Sequence, residues 1–194
     1  MRRLDLKILL IFIIILQSCS KEETYTNLTE EAKELLLYDV GDTFEIKNLS
    51  TDEIITLTVN RKEMDYYEEQ NPGNWLTGSG TDDYYEYGEY SFSDETGCYN
   101  GSVSVEARGG ENFEFRIGTG DCFGEFLATP EFNNSLGFEF DGEIVSINLN
   151  DNEFTETYVL NTVNNAFVNT IFYTKENGIV QINDNQSTVF TLVE

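Results

Sequence analysis

The sequence predicts an all-β fold: an antiparallel meander forming a sandwich or barrel, with one short N-terminal helix. Three observations carry this. Beyond residue 40 the apolar residues recur with period two, the spacing of half-buried strands. The alternating runs are separated by polar turns rich in Gly, Asn and Asp, the layout of sandwiches and barrels. Only one segment has helical spacing: Leu28, Ala32, Leu35 and Leu36 follow i, i+4, i+7, i+8.

That segment comes first. Asn27 stands where an N-cap is expected, Glu30 where its capping-box partner belongs, and Gly41 where the helix should stop. Residues 43–47 and 53–59 read as a hairpin with Ile55, Leu57 and Val59 on one face. Residues 64–83 hold Pro72, several glycines and many acids, and are expected to form a long loop. Residues 84–92 are an aromatic-rich strand.

The next hairpin can be registered from the sequence. Opposed residues of an antiparallel pair face the same side, so apolar must meet apolar. Setting Val103 against Ile117, Val105 against Phe115 and Ala107 against Phe113 satisfies this; a shift by one sets Val105 against Glu114. The loop is then Gly109-Gly110-Glu111, and the same register places Cys98 opposite Cys122. A disulfide is expected there. Neither cysteine has Cys-x-x-Cys spacing, so a redox role is not expected.

Leu136, Phe138 and Phe140 run into Asp141-Gly142, a type I′ turn signal, and return through Val145, Ile147 and Leu149. Residues 154–160, 166–173, 178–182 and 188–193 continue the meander, with Asn177-Gly178 supplying positive φ at one turn.

Residues 1–7 carry Arg2, Arg3 and Lys7, and residues 8–16 are an unbroken apolar run. Nine residues span about 14 Å as a helix, half of a hydrocarbon core of about 30 Å, so the run reads as a signal-peptide core. Leu16-Gln17-Ser18-Cys19 then resembles the lipobox of bacterial lipoproteins. The resemblance implies a signal peptide over 1–18, lipidation of Cys19, a lipidated tether over 19–27 and one β-rich domain over 28–194. Ser20-Lys21-Glu22-Glu23 resembles the surface-export signal of Bacteroidetes lipoproteins, which implies an outer-membrane protein facing the cell exterior. The segments Val40-Gly41-Asp42-Thr43-Phe44 and Phe172-Tyr173-Thr174-Lys175-Glu176-Asn177-Gly178-Ile179-Val180 are similar to the opening and closing pieces of uncharacterised lipoproteins of that group. Those relatives have no assigned activity, so the likeness bears on location and fold alone.

The chain has 36 acidic and 11 basic residues and no histidine. Without Asp5, Arg2, Arg3 and Lys7 of the leader, 35 acids and 8 bases remain, a formal charge of −27. Nucleic acid needs a Lys/Arg footprint, and anionic lipid repels such a chain, so neither is an expected partner. The missing histidine removes Ser-His-Asp and Cys-His pairs and His-ligated zinc. No metal and no cofactor are expected, and the chain reads as a binder, not an enzyme.

The candidate binding residues are Trp75, Tyr84, Tyr85, Tyr87 and Tyr90, since aromatic platforms stack on sugar rings or anchor proteins. Along one strand Tyr85 and Tyr87 face one side, Tyr84, Tyr90 and Phe92 the other. The expected partners are the outer membrane, through the lipid, and a glycan or protein ligand. The alternative is an acidic inhibitor or immunity-like protein against a basic enzyme, drawn together by charge. Two further readings stand behind these. Gly73-Asn74-Trp75 matches the Gly-x-Trp of lipocalin carriers, and Asp82, Asp83, Glu86 and Glu89 could supply a glycosidase's carboxylates. Asn150-Asp151-Asn152 and Asn183-Asp184-Asn185 are read as turns, since neither continues into the spacing of a calcium loop.

Overall fold

The structure, a computed structural model, describes residues 22–71, 81–108, 112–123, 136–149, 152–162, 168–184 and 188–193. Eleven strands form one sheet. They are β1 (Glu22–Thr26), β2 (Thr43–Asn48), β3 (Ile54–Asn71), β4 (Thr81–Ser93), β5 (Asn100–Ala107) and β6 (Phe113–Thr119). After a 3-10 turn at Asp121–Phe123 follow β7 (Leu136–Leu149), β8 (Asn152–Thr162), β9 (Val168–Thr174), β10 (Gly178–Asp184) and β11 (Thr188–Leu192). The order is β1-β4-β3-β2-β11-β10-β9-β8-β7-β6-β5, and β5 also pairs with β4. Strands β2 to β11 are thus joined edge to edge in a ring of antiparallel pairs. The all-β meander is as expected, with two additions. The long-range pair of β11 with β2, from Phe190–Asn48 to Leu192–Ile46, ties the last strand to the first of the ring. The pair β1–β4 is parallel, from Glu22–Thr81 to Thr26–Tyr85. Residues 22–26, expected in the tether, are therefore sheet.

The predicted register of the central hairpin is the observed one: Val103–Ile117, Val105–Phe115 and Ala107–Phe113. All of these but Phe113 are fully buried. The Cys98–Cys122 disulfide follows, with Cα atoms 5.3 Å apart. The Asn177-Gly178 turn also forms, with Gly178 at φ +73°. A Cβ there would stand 2.8 Å from the Tyr38 ring, so both backbone and space call for glycine.

Three local expectations are corrected. Residues 64–71 and 81–83 are not loop: β3 and β4 pair from Thr58–Ser93 out to Asn71–Thr81. Asp141-Gly142 is not a hairpin turn. Strand β7 runs through it, and the register against β8 jumps from Phe140–Leu160 to Ile144–Tyr158. Two extra residues are accommodated as a bulge with Gly142 at φ +99°. The helix, α1 (Glu30–Lys33), is capped by Thr29 and not Asn27: the Thr29 hydroxyl accepts from the Ala32 N–H at 3.2 Å. It ends at Glu34, well short of Gly41.

The inside of the ring is filled. Tyr90, Phe92, Phe115, Ile117, Leu160, Ile171 and Tyr173 are all at most 1% exposed. Leu28, Ala32, Leu35 and Leu36, the predicted helical stripe, join this core and plug one end of it. Gly88 gives Leu36 its seat, because a Cβ at 88 would collide with the Leu36 Cδ1. Polar contacts fasten the plug. The Tyr173 hydroxyl donates to the Leu35 carbonyl at 2.6 Å, and Tyr38 donates to the Asn177 carbonyl at 2.8 Å. Lys62 reaches the Leu36 carbonyl at 2.9 Å and Asp39 at 2.7 Å. At the other end Tyr99, Phe123 and Phe190 pack edge-to-face beside the disulfide, with centroids 5.3–6.0 Å apart.

Candidate functional site

The hairpin β3–β4 is longer than its neighbours. Strand β2 pairs with β3 only as far as Thr43–Thr58, and β5 pairs with β4 only from Tyr87–Glu106 onward. Residues 64–71 and 81–86 therefore form an arm flanked by β1, and the period of two puts tyrosines on both of its faces.

On the outer face the register sets Tyr67 beside Tyr85 and Asp65 beside Tyr87. It carries on from Tyr87 to Glu106 and Glu114, and from Glu89 to Ser104 and Arg116. Tyr67 and Tyr85 stack with centroids 5.4 Å apart, inclined by 22°, and Tyr87 lies 6.5 Å from Tyr67. Arg108 donates to the Tyr67 hydroxyl at 3.1 Å and to Glu114 at 2.5 Å, and pairs with Glu106 at 2.7 Å. Arg116 also pairs with Glu114. Between these side chains is a shallow groove of about 260 Å³, lined among others by Tyr67, Tyr87, Glu89, Ser104, Glu106 and Arg116. Desolvation, helped by the hydrogen bond and charge of Glu106, pushes the Tyr67 hydroxyl up to about 12. Desolvation and then the charges of Glu63 and Asp65 raise Tyr87 as well. Both hydroxyls stay protonated; the Tyr67 proton is engaged by Glu106, and Tyr87 can donate. The surface thus offers two aromatic faces, a neutral donor and fixed carboxylates, which can stack on a sugar ring and bond its hydroxyls.

On the other face Tyr84 stacks on Tyr25, centroids 4.8 Å apart, and Tyr66 meets Tyr25 edge-on at 5.6 Å. Tyr66 donates to Asn27 at 2.6 Å. The five predicted anchors therefore do not form one site. Tyr87 lines the groove, Tyr85 is on the same outer face stacked on Tyr67, and Tyr84 is on the opposite face. Tyr90 belongs to the core, at 0% exposure, bonded through its hydroxyl to that of Tyr173 at 3.2 Å. Burial, then the Tyr173 partner, raises its pKa well above 10.0. Trp75, with the Gly73-Asn74-Trp75 motif, lies outside the described residues. Tyr67 and Arg108 were missed by sequence reasoning: the first sat in the supposed loop, and the second shows no motif.

The four carboxylates considered for glycoside chemistry are split between faces as well. Asp83 and Glu89 point outward, Asp82 and Glu86 inward. Glu86 is committed to structure, accepting the Leu28 N–H at 2.8 Å and pairing with Lys33 at 3.2 Å. Among the described residues no group of three or more His, Cys, Asp or Glu could hold a metal ion. Asn150, Asp151 and Asn185 of the Asn/Asp turns, and Cys19, Ser20 and Lys21 of the leader junction, lie outside the described residues. Among the described residues, no helix is long and apolar enough to cross a membrane. No protein-family model, curated protein or solved structure matches the chain.

Proposed function

We propose that the chain is a lipid-anchored lipoprotein of the outer membrane, facing the cell exterior, and that it binds a glycan through the Tyr67–Tyr85–Tyr87 face. The observation that carries the binding reading is the stacked Tyr67–Tyr85 pair beside Tyr87, presented outward on paired strands and braced by Arg108. A rigid aromatic platform beside fixed polar groups requires no reorganisation to meet a ligand. Support for a binder over an enzyme comes from the sequence: it has no histidine, and its two domain cysteines are bonded to each other. The filled core supports the outer groove over a lipocalin-like lumen as the contact surface. The address rests on Leu16 to Glu23 as a lipobox and export signal.

The test is retention of the protein on an array of bacterial surface glycans. Tyr85→Ala should weaken binding by about tenfold, the equivalent of about 1.4 kcal/mol and within the range of one lost aromatic contact. Its unfolding midpoint should stay close to the parent's. Undiminished binding by Tyr85→Ala and Tyr67→Ala would reject this face, and turnover of a bound glycan, abolished by Glu106→Gln, would reject the non-enzyme reading. For the address, Cys19→Ser should release the protein from the membrane fraction.

One observation favours the inhibitor or immunity-like reading. Each of the seven described basic residues is in an ion pair with an acid, so the surplus charge displayed to a partner is negative throughout. Under this reading affinity for a basic enzyme falls steeply with salt, and the tyrosine substitutions change little.

A further inference from the structure

We infer that the free end of the β3–β4 arm is the membrane-facing end of the protein, with the Tyr25–Tyr66–Tyr84 face seated at the lipid headgroups. This rests on the reading of Cys19 as the lipidated residue. Were residues 19–27 a flexible tether, the domain could present any face to the bilayer. Strand β1 removes that freedom, because Glu22 is paired with Thr81 and the strand runs parallel to β4 from there. Only three peptide steps separate Cys19 from Glu22, a reach of at most about 11 Å. Strand β4 continues for 13 residues from Thr81 to Ser93. At about 3.3 Å per residue the disulfide end is about 40 Å from the arm end, beyond the reach of the anchor. A second observation fits the same occupant. Tyr25 is 56% exposed and Tyr66 41%, two rings in edge contact on one face of the arm. Tyrosine rings of this kind are favoured at the membrane–water interface, where the ring is half-desolvated and the hydroxyl stays wet. Glu23 and Glu68 share the face of these rings, and Glu69 and Asp83 stand on the opposite face of the same arm end, so the arm rests among headgroups and does not enter hydrocarbon. The occupant is a zwitterionic surface, since anionic lipid would repel these carboxylates.

The test uses the full lipidated protein in phosphatidylcholine vesicles bearing an energy-transfer acceptor on their headgroups. With Cys98 and Cys122 joined and Cys19 acylated, an introduced cysteine is the one thiol that takes a donor dye. Donors are placed at the exposed arm site (Glu69→Cys) and at the exposed far end (Glu95→Cys). Mass analysis of the same preparations reports acylation of Cys19. The expected result is acylated protein whose donor at 69 is quenched several-fold more strongly than the donor at 95. Acylated protein with equal quenching at both sites, or stronger quenching at 95, would overturn the orientation and leave the anchor standing. Protein without lipid on Cys19 would overturn both. If Glu69→Cys fails to fold, Glu68→Cys places the donor on the same arm with the same expected result.

Discussion

Removing one oxygen atom from the core should cost this protein more than removing its partner. Tyr173 is buried with its hydroxyl at the junction of the ring and the N-terminal plug. It donates to the Leu35 carbonyl at 2.6 Å, is bonded to the Tyr90 hydroxyl at 3.2 Å, and takes a hydrogen bond from the Leu37 backbone. With its proton committed to Leu35, it is the acceptor for Tyr90. Tyr173→Phe keeps the ring and its edge-to-face contact with Phe115, centroids 5.1 Å apart. It leaves the Leu35 carbonyl, the Leu37 N–H and the Tyr90 hydroxyl without that partner. An orphaned buried group costs roughly 1–3 kcal/mol, so the expected loss is about 3 kcal/mol. Tyr90→Phe removes one bond and leaves Tyr173 still donating to Leu35, with an expected loss of about 1 kcal/mol. The double variant relieves the orphaned Tyr90 hydroxyl and should be about 1 kcal/mol more stable than Tyr173→Phe alone. Urea unfolding of the four proteins, with the denaturant slope unchanged, measures all three differences. A Tyr173→Phe protein within about 0.5 kcal/mol of the parent, or two losses that simply add, would refute the network.

Two further outcomes follow from the same core. Replacing Cys98 and Cys122 by Ser frees a loop spanning 24 positions and should lower stability by about 3 kcal/mol in the chain-entropy model; an unchanged urea midpoint would refute this. Alkaline pH should also unfold the protein. Burial holds Tyr90 and Tyr173 above their ordinary 10.0 and pushes Tyr38, beside Asp42, up to about 12. These raised groups contribute stability that is whole below pH 10 and is lost as pH climbs through the folded values, because the unfolded chain then binds fewer protons. The slope is at most about 1.4 kcal/mol per pH unit for each such tyrosine. Tyrosinate absorbance rising well before loss of the fold, for all tyrosines together, would contradict it.

Sequence made the fold legible where one face of a strand is buried and the other is not. In β5–β6 only one register puts Val103, Val105 and Ala107 against apolar partners, and that register carries the cysteines together. The plug was legible for the same reason: Leu28, Ala32, Leu35 and Leu36 make a stripe of helical spacing, although only four residues complete the helix. The arm was not legible. Its tyrosines and acids alternate on two faces, neither of which is an apolar core face, so period two leaves no hydrophobic signal. Strand β1 was hidden likewise, since Glu22 and Glu23 join the sheet through their backbones. At Asp141-Gly142 a strong local turn signal lost to pairing along the whole of β8; the same positive φ that makes a turn makes a bulge. Of the site, Tyr85 and Tyr87 could be read from alternation in one strand. Tyr67 and Arg108 could not, because they depend on the pairing of strands that the sequence does not announce.

The ion pairs also bear on what can occupy the tyrosine face. Three of the described cations are used to hold the plug: Lys33 on Glu86, Lys62 on Asp39, and Lys175 on Glu34 at 3.2 Å and Glu31 at 3.5 Å. Arg108 and Arg116 flank the groove, which by itself would suggest an anionic ligand. Their charge is already met there by Glu106 and Glu114, with Glu89 in the same lining. Counted over those five groups, the groove carries two positive and three negative charges, set in a domain that is strongly negative. A sulfated or uronic-acid polymer would have to displace one of these carboxylates from its arginine before gaining an ion pair, leaving a half-buried charge without its partner. A neutral sugar faces no such cost, because its hydroxyls can accept from Tyr87 and donate to the outward carboxylates. The arginines then act by fixing Tyr67 and the carboxylates in place, and the ligand class that fits the face is a neutral glycan.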